Sequence, residues 1–264
     1  APDVVLLQEA FSREAIAIAR LSGYLNALPG PSRSDRRSIA RAQVDAAHAR
    51  NRRIDKGERW FGKRAHSGLY ILTDYPVVAS ASEPFSSRAC AGYDCLANKG
   101  VSMARLWIPW AGTHLEVFNT HLNSRKAARV RISRSDNAHG YQVEEAAEFL
   151  RLHRDVRYPA VYGGDFNMRR SPVRFAVFAG AKPAFDLVHR HCMRNRDTCE
   201  IRQSWDGDEP WMDTQDLQLF SHGEGVEIRP VRIQAMFDEP VGGELLADHD
   251  GLLVTYEFVR TAEE

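Results

Sequence analysis

Glu9 closes an apolar run that starts at Asp3, Asn119 and His121 close a second, and Asp165 and Asn167 follow the pair Gly163-Gly164. Asp216 opens a later run, and Asp248 and His249 stand in Asp248-His249-Asp250-Gly251, just before the last one. Residues two apart on a strand share a face, so Asn119 and His121 point the same way. Two glycines ahead of Asp165 and Asn167 suit a loop where backbone comes close to a ligand. Singly, each has a plain structural explanation: a surface carboxylate at Glu9, a hydrogen-bonded His121, an Asx-type turn at Asp165, an ion pair in a turn at His249. As a set they are carboxylates and histidines at strand ends, where layered α/β proteins bind ligands. Carboxylates converging on one cavity repel one another unless a divalent cation neutralises them. With oxygen ligands in excess and no cysteine in the set, the cation is hard: magnesium first, manganese or calcium as alternatives. Such an ion beside two histidines suits phosphoester hydrolysis, with one His activating water and the other stabilising the oxyanion or leaving group.

The elements that must hold these residues alternate short β-like runs with helix-like ones, the pattern of a mixed α/β domain. Asp3–Gln8 reads as a buried strand, and Ser12 caps a helix running to about Leu21. Strand patterns recur at Gly68–Leu72 and Val77-Val78, separated by the turn formers Asp74-Tyr75-Pro76. Val101–Ile108 and Leu115–Leu122 form a hairpin around Trp110–Thr113. Val143, Ala146, Ala147 and Leu150 repeat at helical spacing within Gly140–Arg154. Ala160–Tyr162 is a short strand running into Gly163–Asn167, and Ser171-Pro172 starts a helix with proline in its favoured first position. Asp216–Phe220 and Leu252–Phe258 are the closing strands. No repeat or linker divides the chain, which reads as one domain over residues 1–264.

With 264 residues, 44% hydrophobic and 27% charged, the chain is long enough to bury a core without staples and is not a disordered polymer. No window reaches the 18 or so apolar residues of a membrane-spanning helix. The formal net charge is zero but unevenly spread. Arg33–Arg64 holds 11 Lys/Arg against 4 Asp/Glu, and Glu200–Asp250 holds 13 Asp/Glu against 3 Arg. A neutral total is therefore compatible with an anionic substrate. Cys90 with Cys95, and Cys192 with Cys199, form two close pairs whose spacing fits no common zinc knuckle. Two short disulfide loops are the preferred reading and would place the protein in a periplasm or outside the cell; four free thiols in a cytosolic protein are the alternative. No leader is visible ahead of Ala1, so either it was removed or the numbering starts inside the gene product.

The segments PDVVLLQEAF, SGLYILTDYPV, NKGVSMARL, VFNTHLNS, YGGDFNM and LADHDGLLVTYEF follow one another as in the endonuclease/exonuclease/phosphatase superfamily, which the chain resembles from about Pro2 to Phe258. The resemblance implies an α/β sandwich of two sheets with helices packed outside, a single catalytic domain with an Arg-rich insertion at about 30–64. It implies that Glu9 binds the metal, with Asp248 a second metal-side or orienting carboxylate. It also implies that His121 contacts the phosphate, that Asp165 and Asn167 position the nucleophilic water and the scissile phosphate, and that His249 is the general base. Asp216 matches the Asp that pairs with that His, with Asp213 as the substitute. The family has a further strand with a metal-side Asn before this point, and the numbered chain begins after it, which leaves a sheet edge to account for.

Within the superfamily the chain is most similar to the neutral sphingomyelinase branch. Asp94–Val101 resembles that branch's lysine-glycine segment, making Lys99, with Asn119, a substrate-side residue, and the stretch after His121 through Arg131, Gln142, Glu145 and Phe149 is also similar. Trp60-Phe61, beside Arg59, Lys63 and Arg64, suits peripheral contact with lipid headgroups. The rival is a nonspecific secreted nuclease, with the Arg-rich segment and Arg125, Lys126, Arg129, Arg131 and Arg134 following a polynucleotide backbone. A phosphomonoesterase and a non-catalytic anion-binding module are the remaining alternatives.

Overall fold

The computed structural model describes residues 1–38, 62–181, 184–202, 208–237, 240, 242–244 and 247–261. Most of the Arg-rich segment, with Trp60 and Phe61, lies outside them. Twelve strands and four helices among the described residues follow in the order β1 (Val4–Leu7), α1 (Arg13–Leu21), β2 (Asn26–Pro29), β3 (Tyr70–Thr73), β4 (Val77–Pro84), β5 (Gly100–Ile108), β6 (Thr113–His121), α2 (Ile132–His153), β7 (Ala160–Asp165), α3 (Pro172–Ala181), β8 (Asp186–Leu187), α4 (Val188–Arg194), β9 (Glu200–Arg202), β10 (Asp216–Ser221), β11 (Val226–Met236) and β12 (Gly251–Arg260). The expected helix after Ser12 is α1, with the Ser12 hydroxyl accepting from Ala15 N at 3.1 Å, a cap worth about 1 kcal/mol. The expected hairpin is β5–β6, and α3 starts at Pro172. Helix α2 begins earlier than its apolar repeat suggests, at Ile132.

The strands form a central six-stranded sheet, β4-β5-β6-β7-β10-β8, and two three-stranded sheets, β1-β3-β2 and β12-β11-β9. One face of the central sheet supplies Val101, Met103, Phe118, Tyr162, Leu217 and Leu219 to a core closed by Val143, Phe149 and Leu150 of α2 and Phe178 of α3. Its other face supplies Leu106, Leu115, Val117, Val161 and Phe220 to a second core shared with Ile71, Ile228 and Ile233 and the part-buried Leu6, Val254 and Phe258 of the three-stranded sheets. The sandwich is thus as expected, except that its second layer is split in two. Helix α1 covers the outer side of β1-β3-β2, where Tyr70 and Leu72 turn away from the inward Ile71 in the period-two alternation of a strand. No helix among the described residues is long and apolar enough to cross a membrane.

The glycine pair before Asp165 is explained by this layering. A Cβ on Gly163 would lie 2.8 Å from Leu6 Cδ1 in the facing sheet. Gly164 has φ +140°, and a Cβ there would lie 2.0 Å from Thr120 O. Any side chain at Gly164 would push β7 off β6.

Both close cysteine pairs are disulfides, Cys90–Cys95 and Cys192–Cys199. Thiol titration of the unfolded, unreduced protein is expected to find none of the four cysteines reactive; four free thiols would contradict the pairing.

Candidate active site

Strand register gathers three of the candidate residues into one row. In the parallel β6–β7 pair His121 is the partner of Asp165, and in the antiparallel β7–β10 pair Asp165 is the partner of Asp216. All three share the face that carries Val117, Val161 and Phe220, turned toward the smaller sheets. Glu9 arrives just beyond β1 and His249 just ahead of β12, so five elements deliver side chains to one end of the sandwich.

His249 Nδ1 donates to Asp216 Oδ2 at 2.6 Å, while its Nε2 lies 3.8 Å from Asp165 Oδ2 and 3.6 Å from Asp248 Oδ1. The bond to Asp216 is the main reason the imidazole pKa rises to about 9. Asp213, the alternative partner, is an exposed residue paired with Arg170 and takes no part. Asp165 is buried, and burial with the neighbouring Asp216 pushes its carboxyl up to about 7. Its Oδ1 accepts from Asn167 N at 2.8 Å and its Oδ2 from the Asn167 side-chain amide at 2.9 Å.

His121 sits 3.3 Å from Asp165 Oδ2, 3.7 Å from Glu9 Oε1 and 2.9 Å from Lys99 Nζ, all measured at Nε2. An ammonium only donates, so Nε2 is the acceptor and the ring is neutral. Burial, with Lys99 beside it, holds the His121 pKa well below its usual range. Lys99 Nζ also bonds Asp94 Oδ2 at 3.0 Å and Leu122 O at 3.1 Å.

Both expected substrate-side residues, Lys99 and Asn119, are buried. Lys99 is buried with all three of its donors committed. It is a fixed positive charge behind His121. Asn119 is fully buried, its amide donating to Leu7 O and Tyr70 O and accepting from Gln8 Nε2 at 2.7 Å. It stitches the central sheet to β1 and β3. Glu9 and Asp248 by contrast project from the rim, with side chains 64% and 88% exposed. Sequence reasoning assigned no role to Gln8 or to Asp94, because their partners lie far off along the chain or in a loop whose path is set by tertiary contacts.

Among the described residues no group of three or more His, Cys, Asp or Glu side chains is spaced as a ready-made metal cage. The charge balance nonetheless fits a cation. Asp165 lies beside Asp216, Lys99 and His249, Asp216 lies beside His249, Asp248 and Asp250, and burial raises the carboxyls of both Asp165 and Asp216. Magnesium, which keeps several waters and takes one or two carboxylates, needs no full cage. Two residues of the site, Glu9 (φ 55°) and Asn167 (φ 50°), hold left-handed backbone without being glycine, at about 1–2 kcal/mol each.

No protein-family model matches the chain, and no curated protein matches it in sequence. Solved structures do. Beta toxin from Staphylococcus aureus, in a double-mutant form with bound magnesium ions, superposes with a TM-score of 0.63 at 16% identity, covering 96% of this chain and 82% of the toxin. Sphingomyelinase C from Streptomyces griseocarneus gives 0.58 at 18% identity over 96% of this chain and 82% of that one. TDP2 from D. rerio, complexed with a single-strand DNA product, gives 0.63 at 15% identity over 97% and 86%. The chain has the endonuclease/exonuclease/phosphatase fold that these proteins share.

A raised pKa means that the folded state holds the His249 proton more tightly than the unfolded chain does. The stabilisation from the Asp216–His249 pair is therefore complete below pH 6.5 and lost as pH rises through about 9. In the Asp216→Asn variant the His249 ring resonance, followed by NMR, is expected to titrate nearer 6.5. A midpoint unmoved from the wild-type one would detach Asp216 from His249.

Proposed function

We propose that this chain is a magnesium-dependent phosphodiesterase, a single catalytic domain over residues 1–264, that releases the headgroup of a phospholipid in the manner of a sphingomyelinase. The observation that carries the reading is the row His121–Asp165–Asp216 with His249 bonded to its end and Glu9 at its rim. Manganese or calcium are alternative ions. Glu9 would hold the cation and Asp248 would serve it from the His249 side, and the bound ion would offset the charge of a phosphate that the carboxylates otherwise repel.

Within the chain, the geometry supports the following roles. Asp216 orients the His249 ring and leaves Nε2 free to face the cleft, where it takes the proton from the attacking water. Its pKa of about 9 makes it a strong base present as a minor species at neutral pH, so turnover rises with pH toward 9. Burial, with Lys99 beside it, keeps His121 neutral, and Lys99 supplies fixed positive charge behind the phosphate site. Asp165 fixes the Asn167 amide, and the two together set where water and phosphate sit.

The sphingomyelinase reading is supported by the fold shared with beta toxin and sphingomyelinase C. The two disulfides fit a secreted or periplasmic protein. A second reading, a nonspecific nuclease, is favoured by one observation: Lys126, Arg129 and Arg131 are exposed on the loop leaving the site end of β6, where a polynucleotide backbone would run. Trp60 and Phe61, the expected lipid contact, lie outside the described residues.

The deciding assay measures phosphocholine release from sphingomyelin vesicles and nicking of plasmid DNA in matched reactions with magnesium. EDTA-sensitive phosphocholine release with intact plasmid is expected. Nicked plasmid with untouched lipid would make the chain a nuclease, and no reaction on either would remove the phosphodiesterase reading. In the same assay Glu9→Gln is expected to need far more magnesium for half-maximal rate; an unchanged metal titration would take Glu9 out of the site.

A further inference from the structure

The loops that leave β6 and β7 carry much of the site, and one buried guanidinium ties them together. Arg174, in α3, has a fully buried side chain. Its Nη1 donates to Asn123 O at 2.6 Å and to Asn167 O at 2.8 Å, its Nη2 to Ser135 Oγ at 2.7 Å and its Nε to Asp136 Oδ1 at 2.7 Å. These acceptors belong to the loop after β6, the loop after β7 and the first turns of α2. A planar fork with five donors can span three segments in this way; an ammonium on a flexible stem cannot.

What the fork holds is the peptide geometry of Asn167. At φ 50° this residue occupies backbone space that a side chain with a Cβ rarely adopts unless its surroundings enforce it. Its carbonyl takes Arg174, its N–H goes to Asp165 Oδ1, and its side-chain amide goes to Leu122 O and Asp165 Oδ2. A second buried side chain, His139, bonds the preceding carbonyl, Phe166 O, through Nε2 at 2.8 Å. With both carbonyls drawn toward the helices, the Asn167 N–H is turned to the Asp165 carboxylate. Leu122 O, which receives Asn167, also receives Lys99. The spacing of Lys99, Asp165 and Asn167 therefore depends on where the two loops are pinned.

We infer that Arg174 is a positioning residue for turnover: it fixes Asn167 and the Leu122–Asn123 loop without touching substrate. For its kinetic readout this rests on the hydrolase reading above; its structural readout does not. The test measures steady-state kinetics of the full chain, with magnesium, on the phosphoester that the wild type turns over, together with the backbone amide NMR resonance of Asn167. In Arg174→Lys, folded with an unchanged Tm, kcat is expected to fall about 10²-fold, the cost of a misplacement on the order of 1 Å. KM is expected to stay put and the Asn167 amide to shift. A folded Arg174→Lys with wild-type kcat and an unmoved amide would overturn the inference. If Arg174→Lys does not fold, Asp136→Ala decides by the same readouts, since it removes the acceptor that holds Nε and so frees the fork to turn. A shifted Asn167 amide with lowered kcat supports the inference, and no change in either overturns it. If the wild type turns over no phosphoester, the hydrolase reading falls and the Asn167 amide alone decides the positioning.

Discussion

The site depends on the register of three neighbouring strands. Because side chains alternate across a sheet, a slip of one residue in β6, β7 or β10 would send His121, Asp165 or Asp216 to the helix-covered face and bring an apolar neighbour into its place. The register is locked by close approach. Gly164 lets β7 lie against Thr120 O, Gly163 leaves room for Leu6 of the facing sheet, and Asn119 bonds β6 to the backbone of β1 and β3. The row of functional groups is thus set by the same contacts that hold the two layers together.

Charge distinguishes this end of β6 from the other. Five residues back along the strand, buried Glu116 is met by Arg105 at 2.7 Å and Arg154 at 3.0 Å and by the backbone N–H of Asp155. That carboxylate is satisfied within the fold. At the His121 end the carboxylates outnumber their cations, and two of them are held above the ordinary carboxylate range. An arrangement that leaves negative charge uncompensated costs stability, and it persists where something from solution completes it. On the proposed function, a divalent ion and a phosphate would provide that completion between them.

Much of this was legible in the sequence wherever a local signal and the tertiary structure agree. Ser12 capped α1, Pro172 opened α3, and the alternation of β5 and β6 around Gly112 gave the hairpin. The resemblance placed His121, Asp165, Asp216 and His249 together. Strand β11 was not legible, because Arg229, Pro230 and Arg232 interrupt its apolar run; the proline is tolerated at a bulge in the pairing with β12. Strand β2 ends in Pro29 and holds an edge position, where its short pattern carries little information. The hydrogen-bond partners of Asn119 and Lys99 were not legible for one physical reason. Residue type announced hydrogen-bonding capacity, but only the fold showed that Gln8, Leu7, Tyr70, Asp94 and Leu122 had already used it. Arg174 gave no signal at all, being one arginine among many until burial set it apart.

The central claim is that the Asp216-oriented His249 moves the proton of a hydrolytic reaction at the end of this row. Its most direct test is the turnover of His249→Ala on the substrate that the wild type cleaves, with circular dichroism and Tm confirming the fold. A loss on the order of 10²–10⁴-fold with the fold intact is the predicted result. Wild-type turnover in the folded variant would contradict it.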